Sequence, residues 1–331
     1  MLNFVPELPE VQTIVDDLNK KIIGRRIIGA WFDAPKIITL RKSQGYGKPS
    51  RIIKKPKPDE LEKQIKGLKI AEIKRRGKNI LIYLTKIHNL KPNAYLLLIH
   101  QKLTGHLLVG KWRIRKAQPS PAARGIRKRP PEYKVLSLIK GPLEEKVNNY
   151  IHLIFYLDNG WQIGLSDLRK FAKVLFGSKE EIESLSDLTK IGQEPLDKSL
   201  KVSKFKSLIK SRKGKIKQVL MNQEVIAGIG NIYSDEILWQ AKIHPLKAAD
   251  KLTDKEIKNI YSAMRQILEK AVKLRGTSIS DFRDSAGKPG AYAEKRFVYQ
   301  REAEACQRCQ SLIKRIKIGG RSSHYCPKCQ R

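Results

Sequence analysis

Pro6-Glu7-Leu8-Pro9-Glu10-Val11 opens the first regular segment of this chain. Behind it Val11, Ile14, Val15 and Leu18 recur at three- and four-residue steps, the spacing of one apolar helix face. Pro9 suits the first turn of such a helix, and Glu10 complements the positive end of its dipole. A helix over residues 10–20 follows. Helix starts of this kind are common, so the stretch gains meaning only from what lies downstream: a Gly228-Ile229-Gly230-Asn231 turn and four cysteines near the C-terminus.

The chain has 331 residues, enough for two domains with cores of their own. Lysine and arginine number 68 against 32 acidic residues, a formal charge of +36. An excess of that size points to a polyanionic partner, and nucleic acid is the leading one. No apolar run reaches membrane-spanning length and no signal-peptide pattern opens the chain, so a cytoplasmic, membrane-free protein is expected. It is expected to act as a monomer.

Strand-like sequence runs from Arg25 to Leu40. Between Arg41 and Lys57 lie seven basic residues and no acidic one, broken by Gly45, Gly47, Pro49 and Pro56, which reads as an exposed basic loop. Strands are expected at Asn79–Leu84 and Ala94–His100, joined by a turn around Asn89-Leu90-Lys91-Pro92. Lys111 to Arg129 carries eight basic residues and no acidic one and reads as a flexible insertion. Asp158-Asn159-Gly160 between apolar runs is a hairpin signal. Ser184–Lys201 is polar and reads as a linker. Beyond it the periodicity is helical, with a capping box at Thr253-Asp254-Lys255-Glu256.

Gly228-Ile229-Gly230-Asn231 at a helix start is a phosphate-binding geometry, because glycines let the backbone approach an anion that the helix N–H groups face. Cys306-x-x-Cys309 and Cys326-x-x-Cys329, sixteen residues apart, fit one structural zinc ion held by four thiolates. Such a site would fold a hairpin that has little core of its own.

Together these features resemble the bacterial formamidopyrimidine-DNA glycosylase family, over Pro6 to Cys329. The resemblance implies an α+β fold: an N-terminal β-sandwich flanked by helices, a helix–two-turns–helix domain and a zinc-finger β-hairpin. The corresponding domains are 1–183 (with basic insertions at about 41–57 and 112–147), a linker at 184–201, then 202–295 and 296–331. It further implies a bifunctional glycosylase and abasic-site lyase of base excision repair. Such an enzyme acts on double-stranded DNA containing oxidised purines (8-oxoguanine, formamidopyrimidines) or abasic sites. On the family pattern Pro6 is the nucleophile, Glu7 the acid/base and Glu10 a supporting group. Lys78, Lys217, Asn231 and Arg321 hold phosphates, with Lys78 and Arg321 close to the chemistry. Leu103, Arg169 and Phe171 fill the gap left by a flipped nucleotide, for which an apolar wedge is suited. Ser285 to Tyr292 resembles the loop that covers an everted purine, which disfavours a sister group that prefers oxidised pyrimidines.

An α-amine has a reference pKa near 8 against about 10.4 for lysine, so far more of it is neutral and nucleophilic at pH 7. A secondary amine also yields an iminium that is always cationic. Pro6 behind Met1–Val5, however, is a tertiary amide with no available lone pair. A non-catalytic DNA-binding relative is therefore an open alternative. GTG encodes valine and also serves as a start codon, so residues 1–5 are expected to be a start-site misassignment, with the native enzyme beginning at Pro6.

Overall fold

A computed structural model describes residues 5–42, 51–86, 94–116, 133–279 and 281–331. Residues 1–4, the centres of both basic insertions and the turn around Asn89 lie outside them. Helix α1 covers Leu8–Ile22. It is followed by β1 (Ile27–Phe32), β2 (Ile38–Lys42), β3 (Arg51–Lys54), α2 (Pro58–Ile65), β4 (Lys69–Arg76), β5 (Asn79–Thr85), β6 (Tyr95–His100) and β7 (Gly105–Gly110). Then come β8 (Trp112–Lys116), β9 (Tyr133–Ser137), β10 (Ile151–Leu157), β11 (Gln162–Asp167) and β12 (Lys173–Ser178).

Among the described residues these strands make a six-stranded sheet, in the order β3-β2-β12-β6-β5-β4, and a four-stranded sheet, β1-β10-β11-β7. Alternation along the strands makes the sandwich. Ile80, Ile82, Leu97, Ile99, Val174 and Phe176 point from one sheet into a core shared with Phe32, Leu107, Leu153, Phe155 and Leu165 of the other. The outer face of the larger sheet buries Leu81, Tyr83, Leu96, Leu98 and Leu175 beneath α3 (Lys179–Glu183) and α4 (Ser186–Thr189). The outer face of the smaller sheet offers Leu108 and Ile154 to Trp112 and Val135 of the β8–β9 ribbon.

Three local expectations change. The basic stretch at 41–57 is partly an edge strand, since β3 pairs with β2 from Thr39↔Lys54 to Lys42↔Arg51. The insertion after Lys111 begins and ends as strand, with Trp112 and Val135 buried in its apolar layer. The linker contains the short α4. In the first two cases apolar side chains such as Ile53, Trp112 and Val135 pack on a sheet surface, which their basic neighbours obscured in the sequence.

The C-terminal half holds α5 (Val202–Lys210), α6 (Ile216–Met221), α7 (Asn231–Ala241) and α8 (Asp254–Lys273). The hairpin β13 (Lys314–Ile318)–β14 (Arg321–Tyr325) follows. Helix α1 packs on β4 and on α8, so its apolar face joins the sandwich core to the helical core. No helix among the described residues is long and apolar enough to cross a membrane.

Candidate active site and nucleic-acid interface

The N-terminus of α1 meets the N-terminus of α7. Leu8 N donates to Gly228 O at 3.0 Å. The buried Glu7 carboxylate accepts from Gly230 N at 2.6 Å, Ile232 N at 2.8 Å and Tyr233 N at 3.4 Å. Those N–H groups are the orphan donors that open α7, so the carboxylate caps a helix 223 residues further along the chain. Two glycines make room. A Cβ on Gly228, whose φ is +84°, would meet Leu8 Cβ at 2.7 Å. A Cβ on Gly230 would meet Glu7 Cδ at 2.5 Å and Lys78 Nζ at 2.8 Å.

Glu10 stands behind Glu7, fully buried. Its carboxylate accepts from Glu7 N at 2.8 Å, Tyr233 Oη at 2.6 Å and Thr277 N at 2.6 Å. Burial, and then the neighbouring Glu7 charge, push its pKa up to about 7. Burial also raises Glu7, against the pull of the Lys78 ammonium and the three backbone donors. Lys78 is lowered by burial, with Arg321 adding repulsion and Glu7 opposing both. The turn that presents Lys78 is held from the segment after α4: Glu194 accepts from Gly77 N and Arg75 Nη2, both at 2.6 Å.

A cavity of about 440 Å³ opens here, lined by Glu7, Lys78, Leu103, Lys217, Asn231 and Arg321 among others. These six residues, from six separate segments, thus share one cleft. Pro6 is buried beside it, and Val5 borders it. Arg321 reaches it from the β13–β14 turn, where Gly319 and Gly320 adopt φ of +56° and +76°. Lys217 does not present its charge openly. It is 1% exposed and ion-paired with Asp235 at 2.5 Å, which also accepts from Ser323 Oγ and His324 N. The geometry makes it a strut between α6, α7 and the hairpin. His100, also on the cleft, is pushed down to about 3 by burial and the Lys102 and Lys78 cations, so it is neutral at physiological pH.

Arg169 and Phe171 lie outside this cavity lining. Phe171 is 47% exposed, with the Arg169 guanidinium 4.7 Å over its ring. Asp167 ties their turn to the Leu103 turn: it accepts from Ala172 N at 2.7 Å and from the Thr104 hydroxyl, while Arg169 N donates to Thr104 Oγ1. Leu103 is half-buried. The segment Ser285–Tyr292 is docked on α1, where Asp17 accepts from Ser285 Oγ at 2.8 Å and from Arg275 at 2.6 Å. Glu194, Tyr233, Thr277, Asp235 and Asp167 were not singled out by sequence. Each is an ordinary residue whose partner lies far along the chain.

Cys306, Cys309, Cys326 and Cys329 bring their sulfurs within 4.8 Å of one another. Thiolates about 2.3 Å from a tetrahedral zinc sit about 3.8 Å apart. The Cys309–Cys326 and Cys306–Cys329 separations, 3.4 and 4.0 Å, fit that geometry. The four cysteines form a site for one zinc ion, which would clamp the hairpin to α7. Trp239 of α7 donates to Cys306 Sγ at 3.5 Å and carries Arg308 3.6 Å over its ring.

Comparison with known proteins agrees with this layout. Residues 5–174 match the formamidopyrimidine-DNA glycosylase N-terminal domain, 191–283 its H2TH domain, and 303–331 the zinc finger found in FPG and IleRS. The formamidopyrimidine-DNA glycosylase of Pelotomaculum thermopropionicum is 33% identical over 327 residues, covering 99% of each chain. The structure of Lactococcus lactis Fpg with DNA containing an abasic site superposes with a TM-score of 0.74 at 28% identity. It covers 98% of this chain and 99% of that one. The same enzyme with Fapy-dG-containing DNA gives a TM-score of 0.73 at 28% identity, covering 98% and 100%. With the fold, the four-cysteine site and matches spanning most of its length in agreement, this chain belongs to the formamidopyrimidine-DNA glycosylase family.

Proposed function

We propose that this protein excises oxidised purines from duplex DNA and then cuts the strand as an abasic-site lyase. The observation that carries the reading is the cleft in which Glu7, Lys78, Asn231 and Arg321 converge beside Pro6. In the proposed reaction the Pro6 nitrogen lone pair attacks C1′ of the damaged nucleotide. The bond from C1′ to the base breaks, and the base leaves with a proton supplied at the site. Opening of the sugar and loss of the amine proton give a cationic iminium. Removal of a C2′ proton then expels the 3′ phosphate, and a second elimination expels the 5′ phosphate. Glu7, whose burial favours its protonated form, gives and takes protons in these steps. Glu10 fixes Glu7 through its backbone N–H.

Lys78, Asn231 and Arg321 hold the flanking phosphates, and Lys217 positions Asn231 and the hairpin through Asp235. Leu103, Arg169 and Phe171 occupy the space vacated by the flipped nucleotide, and Asp167 keeps the two turns together. We further propose that the protein works as a cytoplasmic monomer, with domains 1–183, 202–295 and 296–331 and the linker 184–201. The test is single-turnover base release from duplexes carrying 8-oxoguanine or an oxidised pyrimidine. Faster release of 8-oxoguanine is expected. Preference for the pyrimidine would assign the chain to the other lesion class, and no release from either would leave only a DNA-binding role.

A further inference from the structure

A second cavity, of about 500 Å³, lies at the far end of α1 and shares no lining residue with the cleft. The fourteen residues from Glu7 to Lys21 put it about 20 Å away along the helix axis. Its floor is apolar, from Val109, Ile139, Pro142 and Leu143. Its rim carries Lys21, Arg25, Lys140, Asn159 and Trp161, and no carboxylate lines it. Neither Arg25 nor Lys140 pairs with a carboxylate among the described residues. Trp161 is 40% exposed at the tip of the β10–β11 hairpin, with Lys111 Nζ 5.6 Å from its ring centroid.

An apolar floor, an exposed indole and unpaired cations are the complement of one ligand chemistry: a flat heteroaromatic ring joined to a phosphate. The volume falls within the range of small-molecule pockets, about 300–1,000 Å³. We propose that this cavity binds a nucleoside monophosphate. The base stacks on Trp161, with the Asn159 amide at its edge, and the phosphate lies between Arg25 and Lys140. Ala286 forms part of the wall, and Lys21 already donates to Ser285 Oγ at 2.7 Å. The occupant therefore touches the 285–292 segment that docks on α1.

The proposal stands apart from the catalytic reading and is tested without turnover. The full chain is first saturated with a duplex containing a tetrahydrofuran abasic analogue, which fills the cleft. It is then titrated calorimetrically with 5′-deoxyguanosine monophosphate. One saturable site is expected. Trp161→Ala and the pair Arg25→Glu/Lys140→Glu should each weaken it about tenfold or more, as loss of stacking or of the phosphate charges implies. Deoxyguanosine and inorganic phosphate should each bind more weakly than the nucleotide. Arg321→Ala, in the cleft, should leave the affinity unchanged. All these side chains are exposed; retained binding of the duplex checks that the Trp161 and Arg25/Lys140 variants fold, and an unchanged far-UV spectrum checks Arg321→Ala, which is saturated at higher duplex concentration. No saturable binding, or equal affinity in Trp161→Ala, would overturn the proposal. So would a loss in Arg321→Ala without one in Trp161→Ala.

Discussion

Two glutamates three positions apart, Glu7 and Glu10, lie buried within one network, and their environments set different tasks for them. Glu7 receives three backbone donors and faces Lys78, whereas Glu10 has Tyr233, Thr277 and the Glu7 backbone N–H for partners. Glu7→Gln keeps the shape but removes the proton carrier. Base release should fall by about 10²–10⁴-fold, while duplex affinity, read by anisotropy, stays nearly intact. Full turnover by that variant would refute the assignment. Glu10 gives a pH signature. Its ordinary value near 4.5 holds in the unfolded chain, against about 7 in the fold. As pH rises from about 4.5 to 7 the unfolded chain ionises first, so the stability tied to Glu10 falls and then levels off above 7. The full effect is on the order of 3 kcal/mol. Urea unfolding at pH 5 and pH 8 should show Glu10→Gln losing that part of the slope. An identical pH dependence in both proteins would mean that Glu10 is not held protonated.

Among the elements, the zinc hairpin depends most on a few atoms. Cys309→Ser removes one of four thiolates, and the hairpin has little apolar core beyond Trp239, Val298, Ile313 and the cysteines themselves. The variant should lose its zinc by elemental analysis, and Trp239, now 3% exposed, should shift its emission to the red. DNA affinity should drop while the far-UV signature of the sheets persists. Zinc retained at one per chain would contradict this. The β4–β5 turn depends on Glu194 in the same way. Glu194→Ala strands the Gly77 N–H and takes from Arg75 its carboxylate partner, a cost of about 1–3 kcal/mol, and should slow turnover more than it weakens binding, because Lys78 shifts. Elements like α1, the Asp158-Asn159-Gly160 hairpin and the Thr253 capping box were legible because their signals are local. Strands β4 and β12 and helix α2 were not singled out: β4 and α2 are dense in charged residues, and β12 is a short apolar run that periodicity alone does not assign. Glu194, Asp235 and Glu7's capping of α7 were not legible at all, because each joins residues that only the finished fold brings together.

Taken whole, the protein spreads its +36 charge over more surface than one cleft uses. Each phosphate contact adds close to one unit to the salt dependence of DNA binding. Asn231→Ala and Arg321→Ala should therefore weaken binding, and Arg321→Ala should also lower the salt slope by about one. Residues 118–129, basic and outside the described structure, should add affinity for damaged and undamaged duplex alike; a loss on their deletion confined to the damaged duplex would count against that. The zinc site was readable from the cysteine spacing and the sandwich was implied by the family resemblance, whereas the layer that covers each outer sheet face was not legible. The central claim is that the nitrogen of Pro6 attacks the sugar, which requires a free amine and not a tertiary amide. Borohydride trapping on a duplex containing 8-oxoguanine, with the cross-linked peptide identified, tests it most directly. A chain beginning at Pro6 should trap through that residue, and a chain whose Pro6 stays acylated should not trap. Equal trapping by both, with the acylated terminus intact and the cross-link on a lysine such as Lys78, would contradict the account.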